Sequence, residues 1–164
     1  MKKFPRIETK RLVLEEFLPT DIPQIVANMT YSIARNTLFI PFPYREEDAS
    51  RFIDKSREEF FQNRALHFAI RLKENMQIIG AAGITLMNKH FRGEIGFWLS
   101  EDYWNSGIAT ETAEAVLRFC FEKLDLHKVF AYYFQDNKPS GRVLEKCGMK
   151  KEGLLRDHVY SRGR

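Results

Sequence analysis

The chain is poor in cysteine, with only Cys120 and Cys147 among its 164 residues. Two cysteines are too few for a disulfide framework, and neither stands in a Cys/His spacing typical of a metal site. We therefore expect two reduced, packed thiols and no bound metal.

The chain also lacks a long hydrophobic run, since its longest apolar stretch covers residues 78–84. A helix that spans a bilayer needs roughly 20 apolar residues. Residues 1–10 contain early lysines without an apolar stretch behind them, which is not the pattern of a signal peptide. These absences argue against a membrane protein and predict a cytoplasmic one.

Charge of one sign is not concentrated anywhere, because 26 Lys and Arg residues are interspersed with 22 Asp and Glu residues. The net charge of +4 would suit a phosphate-bearing small ligand as well as a nucleic acid. No basic tract interleaved with aromatic residues marks a nucleic-acid groove, so direct nucleic-acid binding is not expected. The length and a hydrophobic fraction of 44% predict one globular domain over residues 1–164.

The first part of the chain predicts one strand and two helices. Alternating polar and apolar residues indicate a half-buried strand at 11–16, and Thr20 and Asp21 are candidate N-caps for a helix that continues to about Met29. Residues 46–63 are charged on one side and apolar on the other, which predicts a second helix. We expect these two helices to form a lid over a substrate pocket.

From His67 onward, short β-forming segments give way to alternating helices and strands. The pattern predicts a meander of three antiparallel strands, then a helix with a regular apolar stripe, and then a further strand, helix and strand. The predicted ranges are 67–72, 77–86 and 93–100 for the meander, 107–123 for the helix, 129–134 for the next strand, 140–147 for the helix that Gly148 ends, and 150–160 for the last strand.

The most informative stretch runs from the strand beginning at Gly93 through a turn into the helix start at Gly107 and Ala109. The first four N–H groups of a helix lack internal partners and carry a partial positive charge. Small residues there let a pyrophosphate approach these groups closely. On its own, the same pattern would also suit tight packing without a ligand.

Four ordered motifs together are more specific than this turn: Glu8-Thr-Lys-Arg-Leu-Val-Leu14, Gly107-Ile-Ala-Thr-Glu111, Asn137-Lys-Pro-Ser140 and Lys146-Cys-Gly-Met149. Over nearly its whole length the chain resembles the GNAT acetyltransferases, and more closely the branch of the ribosomal-protein N-alpha-acetyltransferases. The resemblance implies an α/β (α+β) fold with a mixed, mostly antiparallel central sheet flanked by helices. It also implies acetyl-CoA as cosubstrate and direct attack by an amine in a ternary complex.

The resemblance further implies where the cofactor lies. The strands that end at Ser100 and Phe134 should splay apart, and pantetheine should bind between them. Residues 105–110 should hold the pyrophosphate, Asn137 should bond the pantetheine arm, and Arg142 or Lys146 should lie near the nucleotide phosphates. The expected cofactor residues are Phe97, Trp98, Leu99, Asn105, Ser106, Gly107, Ile108, Ala109, Thr110, Asn137, Ser140 and Arg142.

Two residues are the candidates for the chemistry of acetyl transfer. Ser140 matches the family serine whose hydroxyl reaches the CoA sulfur, although it could instead cap the helix that begins there. Glu94 lies where relatives carry a general base, and Trp98 on the same strand face could raise its pKa. Its alternative role is a rim carboxylate that attracts a cationic substrate. His90 and Tyr133 are reserves, the histidine ending a surface turn and the tyrosine packing in the sheet.

Two features depart from the family pattern. Trp104 stands where the family usually has Gln or Arg, so one phosphate contact is expected to be missing. The sequence stops at Arg164, where the family runs on through a turn into a last strand. The strand that would follow 150–160 is therefore expected to be absent, either because the sequence is truncated or because the final hairpin is incomplete. An unpaired sheet edge beside the acceptor site could then support a homodimer.

The acceptor is not defined by any motif. A protein N-terminal amine, such as that of a ribosomal protein, is the main hypothesis, and a polyamine or an aminoglycoside-like amine is the alternative within the same chemistry. A module of a different class, which binds acyl-CoA without turnover, remains a third possibility because of Trp104.

Overall fold

A computed structural model describes residues 3–160 of the chain. One six-stranded sheet runs through it in sequence order, and every neighbouring pair is antiparallel except the parallel pair of the last two strands. This confirms the predicted mixed, mostly antiparallel sheet. The strands are β1 (Ile7–Glu8), β2 (Leu12–Glu15), β3 (Ala65–Leu72), β4 (Ile78–Met87), β5 (Arg92–Leu99) and β6 (Lys128–Phe130).

Helices cover both faces of the sheet. Their bounds are α1 (Ile22–Asn28), α2 (Tyr31–Ala34), α3 (Glu46–Phe61), α4 (Ile108–Glu122) and α5 (Lys138–Lys146). Helices α1 and α3 pack on one face and α4 on the other, with α5 against α4. No helix within the described range is both long and apolar enough to cross a bilayer.

The alternation of β3 explains this two-faced packing. Leu66, Phe68 and Ile70 are buried in the cluster that also contains the apolar stripe of α4. The residues between them face α1 and α3, because successive side chains of a strand point to opposite sides. Ala69 on this second face joins the core beneath α1 and α3.

A buried ion pair joins the start of α1 to this second face. Asp21 accepts two hydrogen bonds from the guanidinium of Arg71, at 3.0 and 2.8 Å, and a third from the backbone N–H of Leu18. Arg71 Nε also lies 2.8 Å from Glu15, without hydrogen-bond alignment. The helix predicted after Thr20 and Asp21 is confirmed, but Asp21 does not cap it with its side chain, because that carboxylate is turned to Arg71.

Two strand predictions are wrong. The strand expected at 129–134 ends at Phe130, and residues 150–160 form no strand. That last segment is exposed, and Asp157 turns the backbone with a φ of 49°. A side-chain ion pair joins it to β6, between Lys128 and Glu152 at 2.7 Å. The end of the chain at Arg164 lies outside the described residues.

We predict that Asp21→Ala lowers the free energy of unfolding by about 3 kcal/mol, because removing one partner of a buried ion pair leaves the other charge buried. Urea unfolding followed by circular dichroism measures the loss. The matched control is Glu58→Ala, which removes an exposed carboxylate paired with Arg64 and should leave the unfolding midpoint close to that of the wild type. Equal midpoints for the two variants would contradict a stabilising role for Asp21.

Candidate active site

The parallel pairing of β5 with β6 is short, and the opening beyond its end is here called the cleft. The ladder begins at Arg92 opposite Lys128 and ends at Glu94 opposite Phe130, whereas β5 continues to Leu99. Beyond Glu94 the two chain segments therefore diverge, as the resemblance implied. Backbone N–H and C=O groups on this edge of β5 need partners, and an extended ligand in the cleft can supply them.

The three residues of β5 expected to contact the cofactor lie along this diverging edge. Phe97 packs on the side of α4, and Trp98 packs on the opposite side beside the residues of α1 and α2. Leu99 is buried at the end of the strand. Their side chains are thus part of the core, so their backbone groups are what they can offer a ligand.

The side chain of Trp104 stabilises the chain at the end of the cleft. Its indole N–H donates a hydrogen bond to the carbonyl of Leu99 at 2.9 Å. The bond gives one backbone acceptor of β5 a partner from within the chain. The indole therefore fixes the end of the strand to the loop before α4.

The loop before α4 has the shape of an anion site. Asn105 and Gly107 both adopt left-handed backbone conformations, with φ of 58° and 78°, and Gly107 is the N-cap residue of α4. Asn105, Ser106 and Gly107 are exposed, Ile108 is buried, and Ala109 and Thr110 are half-buried. The first N–H groups of a 15-residue helix thus lie behind an open loop, which is where a pyrophosphate binds favourably.

Arg11 ties this loop to the other end of the chain, a connection that sequence reasoning missed. Its Nη1 donates to the carbonyl of Ser106 at 3.0 Å, and its Nε donates to Glu111 on α4 at 2.7 Å. Glu111 also accepts hydrogen bonds from the backbone N–H of Arg11 and from the hydroxyl of Thr9. Burial alone would raise the pKa of Glu111, but these hydrogen bonds outweigh it and hold the pKa below its usual value.

The start of α5 shows that Ser140 is not a cap. The helix begins at Lys138, and the side chain of Asn137 accepts the hydrogen bond from the backbone N–H of Ser140 at 3.4 Å. The alternative reading of Ser140 as the capping residue is therefore wrong. Its hydroxyl is half-buried in the first turn, while Asn137 itself holds the cap.

The remaining candidates lie farther out. Arg142 and Lys146 are exposed on α5, and His90 is exposed in a 3-10 turn, as expected of a residue that ends a surface turn. Tyr133 was expected to pack in the sheet, but it follows the end of β6 and its ring covers Gly141, where an added Cβ would stand 2.8 Å from the ring.

Glu94 lies where β5 and β6 part. Its side chain shares a strand face with Trp98, because the two residues are four positions apart on a strand with alternating side chains. Burial raises the pKa of the Glu94 carboxyl, which makes its carboxylate a stronger proton acceptor than an exposed one. Residues 3–160 contain no cluster of three or more His, Cys, Asp or Glu side chains that could hold a metal ion.

A mixed sheet that splays between its two parallel strands, beside a glycine at a helix start, defines an acyl-CoA N-acyltransferase fold. Residues 11–150 match the model of the acetyltransferase (GNAT) domain. The chain belongs to the GNAT family and is an acetyl-CoA-dependent N-acetyltransferase.

Individual relatives agree with this family. An uncharacterised N-acetyltransferase of Bacillus subtilis, YoaA, is 32% identical over 163 residues, which cover 98% of this chain and 91% of YoaA. The ribosomal protein uS5-alanine N-acetyltransferase of Escherichia coli is 26% identical over 104 residues, which cover 62% of this chain and 54% of the length of that enzyme. The solved structure of RimL, a ribosomal L7/L12 alpha-N-protein acetyltransferase in complex with coenzyme A, superimposes with a TM-score of 0.88 over 97% of this chain and 92% of RimL, at 16% identity.

We predict that Gly107→Glu abolishes CoA binding, because the new carboxylate repels the pyrophosphate and its side chain fills the approach to the helix start. Titration calorimetry with CoA measures the affinity. Gly148→Glu is the matched control, since Gly148 also has a left-handed φ, of 83°, and an added Cβ there meets nothing within 4 Å. The control imposes a comparable backbone strain and the same charge outside the loop, so it should bind CoA normally. Wild-type affinity in a folded Gly107→Glu protein would rule out the loop as the phosphate site.

Proposed function

We propose that the protein transfers the acetyl group of acetyl-CoA to the N-terminal amine of a protein. The observation that carries the proposal is the parting of β5 from β6 immediately after Glu94, a half-buried carboxylate with a raised pKa. A thioester bound in the opening would lie beside this proton acceptor. General acid–base catalysis needs that proximity.

The cofactor would bind on the diverging edge of β5 and at the start of α4. Pantetheine would bond the backbone groups beyond Glu94, and the pyrophosphate would face the N–H groups behind Gly107. The relative RimL binds coenzyme A, which supports this placement by similarity of fold. Asn137 would contact the pantetheine arm, and Arg142 is the candidate partner of the nucleotide phosphates.

Different residues of the chain carry out the successive proton transfers of the reaction. Glu94 takes a proton from the incoming ammonium, and the neutral amine attacks the thioester carbonyl. Backbone N–H groups on the free edge of β5 are the candidate donors to the oxyanion. The C–S bond then breaks, the nitrogen releases its second proton, and the hydroxyl of Ser140 gives a proton to the departing thiolate and regains one through solvent.

The surroundings of the acceptor side support a peptide as acceptor. Ile40 and Tyr44 pack beside Trp98, and the same segment exposes Phe39 by 93% and Phe42 by 47%. Exposed aromatic side chains suit the apolar groups of a peptide. The uS5-alanine N-acetyltransferase among the relatives supports a protein N-terminus as well.

The test of this function is turnover of acetyl-CoA with three acceptors: a peptide with a free N-terminal alanine, an N-terminally blocked peptide with one lysine, and spermidine. We expect the highest kcat/KM for the free N-terminus. A preference for spermidine would contradict the proposed acceptor while keeping the enzyme class, and CoA binding without turnover of any amine would indicate the non-catalytic alternative.

We predict that Glu94→Gln slows acetylation of an N-terminal amine modestly at pH 7 and that raising the pH to 9 restores much of the rate. An N-terminal amine titrates near ~8 and a lysine near ~10.4, so removing a proton from lysine costs roughly 3 kcal/mol more. The loss with a lysine acceptor should therefore be larger and only partly restored. Rates from pH 6 to 9 on both acceptors check this. Equal rates of the variant and the wild type at every pH would remove Glu94 from the mechanism.

We also predict that Ser140→Ala lowers the rate constant with little change in melting temperature, because Asn137 and not Ser140 caps α5. Asn137→Ala is the converse variant, and the loss of its cap should cost about 1 kcal/mol of stability. Thermal unfolding and single-turnover rates separate the two effects. An unchanged rate constant for Ser140→Ala would show that its hydroxyl does not protonate the thiolate.

A further inference from the structure

A histidine and a glutamate form a pair on the acceptor side of the sheet. The Nε2 atom of His67 on β3 lies 2.9 Å from Oε2 of Glu59 on α3. A carboxylate at this distance favours the tautomer with the proton on Nε2, and this leaves the lone pair on Nδ1. The Nδ1 edge of the ring covers Gly83 on β4, where an added Cβ would stand 2.8 Å from Nδ1.

Beside this ring, one face of the sheet has no side chains at two paired positions, Gly83 and its cross-strand partner Gly96 on β5. These two positions are here called the glycine trough. Glycine weakens a strand interior and often marks a site where another group approaches closely. At Gly83 the approaching group is the ring of His67. At Gly96 an added Cβ would meet nothing within 4 Å, so packing does not explain this glycine. The open space above Gly96 is therefore available to a ligand.

The trough lies between the candidate proton acceptors and the cofactor cleft. Glu94, Gly96 and Trp98 lie on one face of β5, because every second residue of a strand points to the same side. His67, two strands away, lies on the same face of the sheet. Neighbouring strands are about 4.8 Å apart, so a group above Gly96 is about one strand spacing from the ring edge over Gly83, and β5 itself carries the free edge. Glu94 is two residues, or about 7 Å, farther along the strand.

The reaction needs more than one proton acceptor at such a place. An acceptor ammonium has three protons on nitrogen, and the amide product retains one. Two protons must therefore leave the nitrogen, the first before attack and the second after the C–N bond forms. Glu94 can take only one of them in a turnover.

We propose that His67, oriented by Glu59, is the second proton acceptor and that the amine binds above Gly96 in the glycine trough. Glu94 takes the first proton, and the neutral amine attacks the thioester. Nδ1 of His67 takes the second proton as the C–N bond is completed and the C–S bond breaks. Ser140 protonates the thiolate; of the two protons removed, one restores this hydroxyl through solvent and the other is released. The inference rests on the proposed function.

Other charged groups surround the pair. Lys55 on α3 lies 3.8 Å from Glu59, and Arg57 on the same helix pairs with Glu16 at the end of β2. Glu94 faces the trough from β5. The ring of Phe52 contacts the ring of His67 edge to face, with 5.5 Å between centroids, and holds its orientation. His67 nevertheless retains 24% of its side-chain exposure, which leaves the imidazole accessible.

The first test compares kcat of His67→Gln with that of the wild type on the N-terminal alanine peptide from pH 6 to 9. We expect a loss of about tenfold to a hundredfold that high pH does not restore, with an unchanged affinity for CoA. Glu59→Gln keeps an acceptor for Nε2 and with it the orientation of the ring, so it should lose less kcat than His67→Gln. His127→Gln, at an exposed histidine before β6, is the control and should match the wild type. Wild-type kcat in His67→Gln at every pH would overturn the inference.

The second test examines the trough itself with Gly96→Ala. Because the added methyl group meets open space, the variant should keep its melting temperature and its affinity for CoA. We expect KM for the peptide to rise at least about tenfold. An unchanged KM in this stable variant would overturn amine binding above Gly96. A wild-type enzyme that acetylated only small amines would overturn the proposed acceptor, whereas loss of activity on those amines in His67→Gln would still support His67.

Discussion

Backbone groups in a folded chain need hydrogen-bond partners. Beyond Glu94, β5 has a neighbouring strand on one side only. β4 pairs with its whole length, while β6 leaves after three residue pairs. Within the chain, the indole of Trp104 supplies one partner, to the carbonyl of Leu99. The cofactor cleft, the partly desolvated Glu94 and the access to Gly96 all depend on this early separation.

The two faces of the sheet carry different parts of the proposed site around β5. On the side of α4, the contacts of Arg11 with Ser106 and Glu111 fix the loop that would receive phosphates. On the other side, α3 brings Glu59 to His67, and the buried pair of Asp21 with Arg71 anchors the preceding helix. Strand alternation keeps the two sets of side chains apart while both reach β5.

Local patterns predicted the elements well where the backbone partners of a segment lie within it or in the next strand along the chain. The strands of the meander and the helix after Gly107 follow directly from periodicity and small residues, and Gly107 adopts a left-handed backbone at the start of that helix. The prediction of a strand at 150–160 was wrong because the residue pattern of a segment does not show whether a neighbouring strand is there to pair with it. Arg11 was missed because its partner Glu111 is 100 residues away in the sequence. His67 was missed because its partner Glu59 lies on the neighbouring helix α3, and the sequence does not show how that helix packs against β3. The single domain and a homodimer stay predictions.

The two thiols have a practical consequence for measuring this enzyme. Burial raises the pKa of Cys120 to about 12, and burial together with the nearby Glu114 raises the pKa of Cys147. Electrophilic reagents react with thiolates, so both side chains are poor targets near neutral pH. The free thiol of released coenzyme A is a far better target. A chromogenic disulfide can therefore report acetyl transfer continuously, even at the high enzyme concentrations that slow acceptors require, because the native protein contributes little colour of its own.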